Sequence, residues 1–86
     1  MNSDIRNWKD CKDPRRVENF GKSHGCMVRM GKGDHRVMSF NHESETYYTG
    51  RREMSPGVAH AIWKFFLRTG LVAAAVLIGL LAIGVI

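Results

Sequence analysis

The stretch CMVRMGKGDHRVMSFN, Cys26 to Asn41, decides the fold of this chain. Two short runs, CMVRM (Cys26–Met30) and HRVMSFN (His35–Asn41), flank the tetrad GKGD, as in a β-hairpin closed by a four-residue loop. Strand alternation predicts Cys26, Val28 and Met30 on one buried face, and Val37 with either Met38 or Phe40 on the second strand. After the polar link HESE, the two tyrosines within Thr46 to Thr49 predict a third strand that Gly50 ends.

Helix signals stand on both sides of these strands. Asp13 followed by Pro14 supplies an N-cap oxygen and an N1 proline, Val17 and Phe20 fall on one face, and Gly21 or Gly25 would end the helix. Ser55-Pro56-Gly57 repeats the capping arrangement, and Val58, Ile62, Phe65 and Phe66 share a helical face beyond it. The predicted fold class is therefore α+β: a small basic α-β-β-β-α head over 13–62, preceded by an N-terminal extension over 1–12.

Charge divides the 86 residues sharply. All 13 Lys and Arg and all 8 Asp and Glu lie at or before Arg68, so the net charge of +5 belongs to the head. From Leu71 the sequence reads LVAAAVLIGLLAIGVI. Its Leu, Ile and Val residues favour membrane insertion by about 3 to 6 kcal/mol together. A helix over 71–86 spans about 24 Å, short of a hydrocarbon core of ~30 Å. Extension back to Trp63 removes the deficit. Residues 63–86 are thus predicted as a single transmembrane helix, continuous with the last head helix across Thr69 and Gly70. Trp63, Lys64, Phe66 and Arg68 are its expected interfacial anchors.

The start MNSDIRNWKDCKD is charged and has no apolar core of a signal peptide. Arg51, Arg52, Lys64 and Arg68 precede the run and no charge comes after it, so the positive-inside rule places the head on the cytoplasmic face of a plasma or inner membrane. Gly70, Ala75, Gly79 and Ala82 are small residues spaced to form a helix-packing groove, which predicts integral membrane protein subunits as partners beside the lipid bilayer.

The order helix, strand, strand, strand, helix resembles that of the HicA family of toxin ribonucleases, whose compact fold is like that of double-stranded-RNA-binding domains. The features that carry the resemblance are Gly25, the strand CMVRM, the triplet Gly33-Asp34-His35, the strand RVMSF, and Ser55-Pro56-Gly57 followed by VAHAIWKFF. The resemblance implies a catalytic role for His35 and phosphate contacts for Arg29, Lys32, Arg36, Arg51 and Arg52, with RNA as the ligand. Two departures accompany it: Asp34 replaces the motif serine, and the Pro-x-His element after the third strand is missing around Tyr47 to Arg52.

Read for chemistry alone, His35 beside Lys32 and Arg36 has the residue types that acid–base cleavage of a phosphodiester requires. The same basic residues suit anionic lipid headgroups equally well. Cys11 and Cys26 are too few for a disulfide framework and match no paired-cysteine metal motif. No metal and no cofactor is predicted, although His60, between Ala59 and Ala61, has neighbours small enough to let a haem or chlorin approach its imidazole. The sequence thus carries two functional expectations. The first is a single-pass accessory subunit of a larger membrane complex; the alternative is a membrane-tethered HicA-type ribonuclease or RNA-binding module.

Overall fold

The computed structural model describes residues 4–72, which form a small α+β domain with two helices and a three-stranded antiparallel sheet. Helix α1 spans Pro14–Ser23, strands β1, β2 and β3 span Met27–Met30, His35–Phe40 and Glu43–Tyr48, and helix α2 spans Pro56–Arg68. The strands lie in sequence order as a meander.

Both helix starts obey their sequence signals. The Asp13 side chain accepts from the backbone N–H groups of Arg15 and Arg16, and Ser55 Oγ accepts from that of Val58, each with a proline in the first turn. Helix α1 runs through Gly21 and gives way at Gly25, which adopts φ +91°. Gly21 is instead a point of close approach, because a Cβ there would overlap the Sδ and Cε atoms of the fully buried Met38.

The first hairpin has the expected four-residue loop, 31–34. The second is tighter than expected. Asn41 and His42 both take positive φ, 49° and 68°, as the two central residues of a type I′ turn do, so strand β3 begins at Glu43 and absorbs most of the stretch read as a polar link. The pairing Phe40↔Glu43 through His35↔Tyr48 then sets which residues face the helices. Met38 and Tyr47 are fully buried on that face, whereas Val37 points the other way. Met30 shares the inward parity of Met38 but is 68% exposed, since it sits at the end of the edge strand beyond the cover of the helices.

Residues 8–12, read as part of an extension, pack against the core through Cys11 and Trp8. They form a short 3₁₀ helix, Trp8–Lys12, opened by a capping box in which Asn7 accepts from the N–H groups of Lys9 and Asp10 while Asp10 accepts from that of Asn7. Cys11 is fully buried, Trp8 stacks on His60 of α2 with ring centroids 4.0 Å apart, and Met54 N–H donates to the Lys12 carbonyl at 2.7 Å.

The end of α2 departs most from expectation. Gly70 takes φ +78°, and the N–H groups of Thr69 and Gly70 donate to the carbonyls of Phe65 and Leu67. A glycine in the left-handed region closes the helix here rather than passing through it. Helix α2 therefore ends before Gly70, which caps it. Phe66, expected at a membrane interface, is fully buried with its ring edge against Phe20 at 4.9 Å. Trp63 is half-buried against the core, Lys64 is exposed, and Arg68 donates to Glu43 Oε1 at 2.6 Å. Leu71 and Val72 are buried as well. Among the described residues no helix is long and apolar enough to cross a membrane; Ala75, Gly79, Ala82 and the rest of 73–86 lie outside them.

Replacing Phe66 by Ala leaves a cavity in the core and is expected to cost about 3 to 5 kcal/mol. Urea denaturation of the full chain, monitored by the fluorescence of Trp8 and Trp63, measures this. A residue that served only as an interfacial anchor would leave the head's midpoint unmoved.

Candidate anion-binding groove

The site is built around a buried phenol. Tyr47 lies in β3 with its side chain fully enclosed, and a phenolic O–H removed from water needs an acceptor. Glu18, on α1, supplies it: Tyr47 Oη donates to Glu18 Oε1 at 2.6 Å. Burial, and then the bond to Glu18, push the Tyr47 phenol well above its ordinary pKa, so it stays a donor.

The same carboxylate oxygen accepts from Arg36 Nη1 at 3.3 Å, and Glu18 Oε2 lies 3.6 Å from Lys22 Nζ. One carboxylate thereby ties α1 to β2 and β3. Arg36 is held by this contact alone, for its Nε is buried with no hydrogen-bond partner among the described residues.

Beside this cluster lies an open groove of about 780 Å³ between the start of α1 and the loop after β3. Arg15, Arg36, Arg51 and Arg52 line it, with Glu18 and Thr49. Arg15 reaches it because Asp13 and Pro14 start the helix there; Arg51 and Arg52 reach it because β3 ends at Tyr48. Thr49 N–H and Oγ1 both donate to the Asp34 carbonyl, at 3.0 and 3.2 Å, which fixes the origin of that loop.

Of the basic residues predicted from sequence to meet phosphate, the structure brings together Arg36, Arg51 and Arg52. Arg29 is on the sheet face turned away from the helices, opposite Val37, and Lys32 is exposed in the first hairpin loop. Arg15 joins the group from α1. Glu18 and Tyr47 were missed because nothing in a one-dimensional spacing of 29 residues marks them as partners.

His35 is on the opposite face of the sheet from Arg36, as successive strand residues must be. Its ring meets Tyr48 edge-on at 4.5 Å, in a separate hollow of about 410 Å³ that also involves Asp34, Arg51 and Glu53. Nδ1 lies 3.0 Å from the Lys32 carbonyl and 3.5 Å from Asp34 Oδ1, and among the described residues Nε2 makes no hydrogen bond. Two carboxylates and one arginine surround it. Only Arg51 is shared with the groove.

His60 has one ring face on Trp8 and its Nδ1 2.8 Å from the Pro56 carbonyl, leaving Nε2 as its sole position for a ligand. Cys11 and Cys26 are both buried free thiols. Among the described residues no three of His, Cys, Asp and Glu gather in a way that would hold a metal ion.

No protein-family model matches the chain, and comparisons with the curated proteins and with the solved structures find no match either.

Burial, and then the neighbouring Asp10, push the Cys11 thiol up to about 12. In the unfolded chain it ionises near 9, its ordinary value, while the folded state keeps the proton. Stability from this group is full below about pH 9 and is lost as pH rises toward 12, because the unfolded state releases its proton first. Tyr47, also raised, acts in the same direction. Unfolding free energies from urea titrations between about pH 8 and about pH 11 are expected to fall by an amount on the order of 2 kcal/mol through Cys11, and Cys11→Ala should flatten that slope.

Proposed function

We propose that this chain is a small accessory subunit of a membrane protein complex, with its basic head held against the cytoplasmic face. The observation that supports this most is the lack of any linker between the head and the apolar run. Leu71 and Val72 are part of the packed core, and residues 73–86 contain no polar side chain. Whatever takes up that run must therefore have the head against it.

Burial of Phe65 and Phe66 adds a second constraint. The head cannot release them to lengthen a membrane helix without losing its own core. Packing on other helices is the alternative to lengthening, and the small residues Ala75, Gly79 and Ala82 suit it. Arg51, Arg52, Lys64 and Arg68 near the start of the run favour the cytoplasmic side. Extraction in mild detergent followed by native mass measurement is expected to return a stable complex larger than the chain; a protein that always runs alone overturns the reading.

A second reading, the HicA-type ribonuclease, draws support from the helix-strand-strand-strand-helix order and from His35 at the head of β2 with Nε2 unengaged. In that reading Nε2 exchanges the proton, and Arg51, which lines the same hollow, receives the phosphate charge. Expression of the full chain should then arrest growth and His35→Ala should relieve the arrest. Harmless expression of the wild type excludes it.

A further inference from the structure

We infer that the groove bounded by Arg15, Arg36, Arg51 and Arg52 is a binding site for a phosphomonoester dianion. This deepens the reading of the head as a basic module, but it does not depend on the apolar run entering a bilayer.

Charge is the first argument. Four guanidiniums and the carboxylates of Asp13 and Glu18 line the groove, which leaves two positive charges in excess. Both carboxylates are committed within the fold: Asp13 caps α1, and Glu18 accepts from Tyr47 and Arg36. The arginines are mostly uncommitted. Among the described residues no hydrogen bond or ion pair engages the side chains of Arg15, Arg51 or Arg52, and Arg36 is held only through Glu18. Guanidiniums left unpaired around a concavity repel one another until an anion enters. A phosphomonoester carries close to two negative charges at neutral pH and presents three oxygens, so it matches the excess; a phosphodiester, with one charge, does not.

Position and size are the second argument. The side chain of Arg36 is less than one-third exposed and is pinned from behind by Glu18, which is itself fixed by the buried Tyr47. Arg36 Nε is buried with no hydrogen-bond partner among the described residues, so the guanidinium beside the groove keeps donor capacity that the fold does not use. The groove's 780 Å³ lies within the ~300 to 1,000 Å³ of ligand sites and has room for the phosphate and the group that it esterifies. Whether that group belongs to a soluble metabolite or to a lipid headgroup, the chemistry at the arginines is the same.

The test uses the full chain in micelles of an uncharged detergent, titrated calorimetrically with glycerol 3-phosphate and, in a parallel arm, with the same micelles doped with phosphatidic acid. Micelles doped with phosphatidylglycerol to equal surface charge, and a single-stranded RNA lacking terminal phosphates, are the phosphodiester controls. Binding of glycerol 3-phosphate assigns the site to a soluble ligand, and binding of phosphatidic acid alone assigns it to a headgroup; either supports the inference. The double variant Arg51→Gln/Arg52→Gln, whose side chains have no partners to lose, should weaken binding by about tenfold or more while its thermal midpoint stays put. Lys9→Gln, outside the groove, should change neither. Affinity should also fall as the pH drops below ~6, where the ligand becomes a monoanion. Equal binding of the diester controls, equal loss in Lys9→Gln, or no binding in either arm overturns the inference. None of these outcomes bears on whether the chain belongs to a membrane complex, which the native mass measurement decides separately.

Discussion

Phe65 and Phe66 are the two rings by which α2 closes the core of the head. Both are fully buried; Phe66 meets Phe20 of α1, and the two rings lie 5.7 Å apart from each other. Two aromatic side chains of this size account for a large share of what a domain of some seventy residues can bury, and a domain this small has little to spare. The rest of the architecture answers to that requirement. Helix α2 must lie with this face on the sheet, the 3₁₀ helix covers its flank through Trp8 and Cys11, and Leu71 and Val72, beyond the end of α2, join the same core. Gly70 takes the left-handed conformation between α2 and Leu71 at no steric cost.

The groove depends on the same core at one remove. Tyr47 is buried because β3 packs beneath α2, and its phenol then demands Glu18. Glu18 in turn holds Arg36 at the base of the groove, so a residue of the hydrophobic interior determines where a surface cation stands. Such coupling is characteristic of a preorganised site: the ion pair is only partly buried and adds modestly to stability, while the geometry that it fixes is definite.

His35 and the arginine groove occupy different faces of one sheet. An enzyme that cleaves a phosphodiester gains most when the proton-transfer group and the cations converge on one phosphate. Here they converge only through Arg51, and Asp34 and Glu53 stand beside the histidine. The electrostatics of the head therefore favour holding an anion in the groove over processing one at His35.

Much of the fold was legible in the residues themselves. Asp13-Pro14 and Ser55-Pro56 fixed both helix starts because capping is a local, stereochemical matter, and GKGD between alternating runs fixed the first hairpin for the same reason. The N-terminal 3₁₀ helix is also locally encoded, in the Asn7 and Asp10 capping box. The inward turn of Met38 rather than Val37 was decided by tertiary structure, since a one-residue choice of face depends on register against a partner strand and on what covers it. So was the fate of Phe66: an aromatic residue beside an apolar run reads equally as a membrane anchor or as core, and only the presence of Phe20 across the interface separates the two. The gathering of Arg15, Arg36, Arg51 and Arg52 was likewise invisible along the chain, because cations scattered over a sequence have no common property until a fold sets them around one space. The sequence by itself determined the charge asymmetry between the head and the apolar run and the local starts of its elements; the tertiary structure decided which side chains are spent on the core and which remain free to bind, because burial is settled by partners distant in the chain.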